Sequence, residues 1–352
     1  MSSYIKSLVA TALITTSVNA SQLNLSNMPK SVANNSVAYV TVNNQDFLLS
    51  FNGLLANKTY KDATNLAFRL DVSSNQWQQI SSVPMQFPTD NLIGRLASIA
   101  IGINEHAYIF GGYTVAKDHS EVSVPDVYKY HAKSDKYQQL APMPVPVDDT
   151  VALVYQQKYI YLVSGWHNSG NVNLVQAYNT ETNTWSQATP FPGKPVFGHA
   201  AGIVENTMIV CDGVKIEFHQ QKRRSYAPEA ACYKGVISAD NPEKIDWFTL
   251  EHPTGIGRYR MAAVGNEENN EIIFVGGSDN PYNYNGIGYN GKPSEPDSSI
   301  WIYNVDKQQW SFKRSKVATM DHRGLLIVKG KWITLGGMLK NQQVTNQVIE
   351  HN

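Results

Sequence analysis

A short apolar run ending in glycine recurs six times along this chain, and a period of that kind forces a fold built by repetition. The six are Phe51-Asn52-Gly53, Phe110-Gly111-Gly112, Val163-Ser164-Gly165, Cys211-Asp212-Gly213, Val275-Gly276-Gly277 and Leu335-Gly336-Gly337. Glycine in the last position suits a strand end that must bend or pass close to another backbone. A second spacing follows each glycine: Leu70 precedes Trp77, Tyr130 precedes Tyr137, Tyr178 precedes Trp185 and Tyr303 precedes Trp310, always by seven residues. Polar turn formers such as Ser73-Ser74-Asn75, Ser134-Asp135 and Asp306-Lys307 separate the members of each pair, which is a hairpin written repeatedly. Tyr233 and Trp247 fit the same scheme with Ala239 to Lys244 as a turn insertion.

A third spacing places Pro84, Pro144 and Pro192 seven residues after Trp77, Tyr137 and Trp185. The start of the chain imitates it: Leu25 matches Ile80 and Leu140, and Met28-Pro29 matches Val83-Pro84 and Met143-Pro144. After Gly337 there is room for one more strand, around Val344 to Ile349, and none for its outer partner. The N-terminal strand is therefore expected to complete the last blade, because an open edge would invite aggregation.

The run into glycine, the aromatic, the polar turn and the tryptophan together resemble the kelch repeat. That resemblance implies an all-β, six-bladed kelch-type β-propeller closed by an N-terminal strand. It covers residues 21–352 as one domain, without a Pro/Ser-rich linker and without a competing helical period.

Residues 1–20 read as a secretory signal peptide, with Lys6, an apolar stretch from Leu8 to Val18, and Val18-Asn19-Ala20 at the cleavage site. The expectation is a periplasmic or secreted protein with no membrane span, since no apolar stretch is long enough to cross a bilayer. With 29 basic and 29 acidic residues the chain has no global field to gather nucleic acid, and no nucleic-acid partner is expected. Cys211 and Cys232 are a possible disulfide in an oxidising compartment, with two separate buried thiols as the alternative.

In an up-and-down blade, the residues opening each inner strand and the loops after each glycine share one face. The longest insertions collect there. After Gly277 runs a Tyr/Asn/Gly-rich loop with Tyr282 and Tyr284, able to offer aromatic faces and amides to a sugar ring, or else a flexible decoration. After Gly213 runs a basic stretch with Lys215, Glu217, His219, Lys222, Arg223 and Arg224. The inner-strand entrances carry Arg95, Asp149, His199, Arg258, Arg260, His322 and Arg323. Arginines converging on one mouth favour an anionic ligand, although each residue alone reads equally as a brace between blades. The histidines have neither zinc-protease nor Cys/His spacing, and no phosphate-cradling loop, dinucleotide fingerprint or Gly-x-Ser-x-Gly elbow is present. No cofactor and no metal are expected.

The leader, the six repeats, the closing strand and the fifth-blade loop together resemble the bacterial N-acetylneuraminate (sialic acid) mutarotase family. That resemblance implies a catalysed exchange of sugar-acid anomers, which needs a base, an acid and cations for the carboxylate. It implies a glutamate directly after the fourth-blade glycine, where this chain has Val214. Asp212, Glu217 and His199 are the candidate catalytic groups in its place. Arg95, Lys215, Arg224, Arg258, Arg323, Tyr282 and Tyr284 are the candidate ligand-binding residues. The partner is then a small-molecule carbohydrate. The alternative is a non-catalytic propeller that presents the loop face to a protein or glycan.

Overall fold

A computed structural model describes residues 23–86 and 92–352, so the expected signal peptide lies outside the described residues. The described residues form six blades spanning 36–80, 99–139, 151–187, 200–250, 262–319 and 326–350. Blade 3 shows the plan: Val151–Tyr155, Tyr159–Val163, Val175–Asn179 and Thr184–Gln187 pair in sequence order, each antiparallel to the last. Its second strand is almost wholly buried and its outer strand is partly open to water. Inner strands of successive blades lie side by side round a central axis, and Ser36–Val42 meets Leu326–Val328 to close the circle. Among the described residues no helix is long and apolar enough to cross a membrane.

The seven-residue spacing is the hairpin it was read as. Leu70 faces Trp77, Tyr130 faces Tyr137, Tyr178 faces Trp185 and Tyr303 faces Trp310 directly across neighbouring strands. Blade 4 differs: Trp247 lies opposite Gly235, two residues beyond Tyr233, and Phe191 packs edge-on against both rings. A side chain at Gly235 would collide with the Trp247 ring, so glycine takes the place the other blades give to an aromatic or leucine.

Each outer-strand aromatic also donates a hydrogen bond to the chain leaving the preceding blade. Tyr137 bonds the Ser81 carbonyl, Trp185 that of Ala141, Trp247 that of Thr189 and Trp310 that of Glu251. Trp77 bonds the Ser26 carbonyl at 2.8 Å, so the N-terminal segment stands where an outer strand of blade 6 would end. The next residues agree: the Met28 amide bonds the Asn346 carbonyl, as the Val83 amide bonds Asn65 and the Met143 amide bonds Pro125. Leu23, Leu25 and Met28 pack into the same cluster as Leu326, Val328, Ile333 and Leu335. The N-terminal segment thus closes the ring, by these anchors rather than by a continuous ladder, and the regular sheet of blade 6 has three strands.

The glycine corners stitch each blade to the next. At Gly213, φ is +90°, and its amide bonds the Arg258 carbonyl at the entrance to blade 5. Cys211 and Cys232 are direct cross-strand neighbours in blade 4 and are joined by a disulfide.

Candidate functional site

The residue opening each inner strand is held left-handed in all six blades: Asn34, Ala97, Asp149, Gly198, Arg260 and Asp321 have φ between 49° and 68°. A non-glycine residue there costs about 1–2 kcal/mol. The turn aims each residue's polar groups at its neighbours round the axis. The Asp149 amide bonds the Ala97 carbonyl, the Gly198 amide that of Asp149, and the Arg260 amide that of Gly198. The Asn34 amide bonds the Asp321 carbonyl, and Asn34 Oδ1 accepts from the Ala97 amide. These links circle the channel at the loop face.

Side chains fill the middle of that circle. The Arg260 guanidinium donates to both oxygens of Asp149, at 3.0 and 2.6 Å, and to Asp321 Oδ1 at 2.7 Å. Arg323 pairs with Asp149 from the other side. All four are buried. Burial alone would push the Asp149 carboxyl up, but Arg260 and Arg323 hold it below its ordinary value. The two cations and two anions therefore answer one another, and the Arg260 guanidinium is taken up by the two carboxylates, so it could receive a ligand carboxylate only by breaking a buried pair.

The Tyr/Asn/Gly-rich loop after Gly277 lies over this cluster. Tyr282 is fully buried, edge-on to Tyr259 at 4.9 Å, under the Arg260 guanidinium, with its hydroxyl 3.4 Å from Asp321 Oδ1. Tyr284 stacks on His119 of blade 2, and Tyr289 stacks on Tyr226 of blade 4 at 4.4 Å. The loop is a plug across the mouth, tied to blades 2, 4 and 6, and Tyr282 has no face turned to solvent.

The other sequence candidates are scattered. Arg95, at the entrance to blade 2, pairs with Asp126 of the same blade. Arg258 pairs with Asp297 and lies over the Trp301 ring. Lys215 pairs with Glu229 at 2.8 Å. Arg224 is the exposed one, lying across Trp166 and Tyr226 and touching the Ser169 carbonyl. Asp212 sits in the left-handed position before Gly213, where three other blades have glycine. It accepts from His252 Nε2 at 2.6 Å and from the Arg258 amide at 2.8 Å, at the seam of blades 4 and 5. Burial pushes its pKa up to about 6, with His252 opposing. Glu217 is exposed on the blade-4 hairpin, accepting from Ser225. His199 is buried beside the channel, donating through Nε2 to the Val163 carbonyl. Asp212, Glu217 and His199 make no hydrogen bond with one another among the described residues, and Val214 is fully buried.

Asp212, Cys232 and His252 bring ligand atoms within 4.8 Å of one another. The sulfur is spent in the disulfide, and His252 Nδ1 accepts from the Gly255 amide, so Nε2 carries the proton and is turned to Asp212. The cluster is arranged as a brace.

Two further features carry signals that residue type and spacing do not. Glu121 lies on the short Glu121–Ser123 strand after Gly112, opposite Val115. Loss of water around the carboxyl is the larger cause of its pKa being pushed up to about 7; Arg260 opposes and Asp149 adds to it. Among the described residues six large apolar side chains are exposed, and four of them, Ile93, Val122, Phe218 and Ile256, stand on loop-face connections. Phe218, at the tip of the basic hairpin, is 79% exposed.

A family model for the KLHDC2/KLHL20/DRC7 Kelch-repeats domain matches residues 36–244. Among curated proteins the chain is 20% identical over 259 residues to Kelch-like protein 15 of Mus musculus, covering 70% of this chain and 39% of that protein. It is 26% identical over 151 residues to Kelch-like protein 33 of Homo sapiens, covering 42% and 26%. It is 23% identical over 208 residues to Kelch domain-containing protein 3 of Bos taurus, covering 51% and 52%. The chain thus spans only a quarter to a half of the length of these relatives. Among solved structures, that of YjhT superposes with a TM-score of 0.69 at 15% identity, covering 93% of this chain and 96% of that one. At that identity the likeness speaks for the propeller alone. The corner glycines, the facing aromatics and the family match converge: this chain belongs to the Kelch-repeats domain family.

Proposed function

We propose that this is a non-catalytic, exported binding propeller that presents its loop face to a protein partner carrying acidic and apolar side chains. The observation that carries the reading is the placement of Ile93, Val122, Phe218 and Ile256 on that one face. Exposed apolar side chains that share one face of a folded domain give a partner apolar points to cover. The basic hairpin with Lys222, Arg223 and Arg224 supplies the charge that an acidic partner would meet. The buried Arg260–Asp149–Asp321–Arg323 cluster supports it from the other side, because a sugar-acid site needs cations free for the carboxylate. The expected signal peptide and the Cys211–Cys232 bond both suit an oxidising compartment.

The test is site-specific photo-crosslinking in the native cell, with a benzophenone amino acid at Phe218 or Ile256 and, as control, at Phe312 on an outer strand. One partner captured from both loop-face positions and not from Phe312 is expected. Equal capture from all three, or none, overturns the reading.

A sialic-acid mutarotase remains the second reading because Glu121 stands in the mouth with a pKa near neutrality, where a general base works best. Proton-exchange NMR on freshly dissolved sialic acid decides between them. Accelerated anomer exchange that Glu121→Gln abolishes would make the protein an enzyme; no acceleration is expected.

A further inference from the structure

On the far side of the ion cluster the central channel widens into a cavity of about 490 Å³, within the range that holds small ligands. It opens at the turns between inner and second strands, on the face opposite the long loops, where Gln157, Asn266 and Glu267 line the rim. Each inner strand gives the wall one half-buried apolar residue: Tyr39, Ile101, Val154, Ile203, Val264 and Ile327. The closed end presents little charge, because the Arg323 side chain there is 2% exposed and paired with Asp149.

The charge is at the opening, and one sign prevails. The six turns around it are residues 43–44, 104–105, 156–158, 205–206, 267–270 and 329–330. They carry four carboxylates, Glu105, Glu205, Glu267 and Glu268, against two ammonium groups, Lys158 and Lys329. Lys158 is taken up by Glu181, outside these turns, at 2.6 Å. Among the described residues no lysine or arginine pairs with any of the four carboxylates, and Glu105 has only His106, at 3.9 Å. Glu205, Glu267 and Glu268 are exposed. The loop face at the other end carries the basic hairpin with Lys222, Arg223 and Arg224, so the two ends of the channel differ in sign. An opening ringed by one sign of charge, above walls of low dielectric, focuses its field and concentrates the opposite ion. A cation is drawn in at the carboxylate rim, and an apolar body attached to it finds walls that cover it.

We propose that this channel binds a small amphiphilic cation, an ammonium group on an apolar chain, with the chain against the inner-strand walls and the charge held at the acidic rim. The proposal is independent of the loop-face reading, from which it differs in face, ligand and residues.

The test titrates four probes into the purified protein, labelled at its isoleucine methyl groups and followed by NMR. Octylammonium carries both parts, 1-octanol the chain without charge, octanoate the chain with the opposite charge, and butylammonium the charge on half the chain. Octylammonium should shift the methyl signals of Ile101, Ile203 and Ile327. It should bind about fivefold or more tightly than 1-octanol at low salt, which is what a modest exposed ion pair contributes. Octanoate should bind more weakly than either. Each methylene moved out of water is worth about fourfold, so butylammonium should fall at least about tenfold behind. Glu267→Gln together with Glu268→Gln, on an exposed turn, should bring octylammonium towards 1-octanol and leave 1-octanol unchanged. Raising the salt to about 0.5 M should do the same. No binding of octylammonium at millimolar concentration would overturn the proposal. Butylammonium equal to octylammonium would overturn it by reducing the effect to ion pairing at the rim. 1-Octanol or octanoate equal to octylammonium, an undiminished preference in the folded double variant, or methyl shifts confined to isoleucines away from the channel would each overturn it as well.

Discussion

A methyl group added to Gly213 would stand 2.9 Å from the Phe197 carbonyl oxygen and 2.8 Å from His199 Cβ, at a φ of +90° that alanine resists. Gly255 has a similar backbone, φ +72°, with nothing within 4 Å of the added carbon. The two positions separate conformational strain from collision. Gly255→Ala should cost about 1 kcal/mol from the left-handed backbone alone. Gly213→Ala should cost about 2–4 kcal/mol, because overpacking is added and rigid backbone must give way. Urea-unfolding midpoints check both, and equal losses would deny the close approach. This requirement is why the corner glycines were legible in the sequence: the backbone itself excludes every other residue. The partners of the entrance arginines were not. Asp149 and Arg260 were visible at their entrances, but they are 111 residues apart, and only the closed ring brings them to 2.6 Å. Glu121 gave no signal at all, since its shifted proton affinity comes from loss of water and from the charges of Arg260 and Asp149, which are distant in sequence.

Spacing carried the strands and hairpins, because facing residues on a two-strand ladder fix their own separation. It carried the N-terminal closure too, through the match of Met28 to Val83 and Met143, which the equivalent hydrogen bonds now explain. It could not carry the plug. The loop after Gly277 reads as exposed tyrosine and asparagine, yet Tyr282 is buried and Tyr284 nearly so, because blades 2, 4 and 6 offer it partners. At the closing segment, Met28 is 1% exposed and packs with residues of blades 1 and 6. Met28→Ala should therefore cost about 2–4 kcal/mol, like other large-to-small changes in a core. The loss should be concentrated at the seam, so hydrogen exchange should quicken first in Val348–Glu350 and Gln76–Ile80. Uniform quickening across all blades would mean that the segment does not act as the clasp.

At the scale of the whole ring, blades that are not neighbours are joined beneath the plug at the axis, and Arg260 spans it. It belongs to the entrance of blade 5 and holds Asp149 of blade 3 and Asp321 of blade 6 at once. Arg260→Met would leave Arg323 with Asp149 but take from Asp321 the cation it contacts. Removing one partner from a buried ion pair costs about 3–5 kcal/mol, because the charge left behind remains out of water. The loss should also depend on pH, and its sign follows from linkage. Burial already raises the Asp321 pKa above its ordinary value, with Arg260 opposing, and losing Arg260 would raise it further. A carboxyl whose folded pKa exceeds its unfolded pKa lowers stability as pH rises through the folded value, and the stability returns on acidification. The gap between wild type and Arg260→Met should thus be wider at pH 8 than at pH 5, as read from urea midpoints at both. An equal gap would mean that Asp321 stays ionised through another partner. A gap near zero would mean that the blades hold the axis without the arginine, and that the cluster fills the channel rather than fastening it.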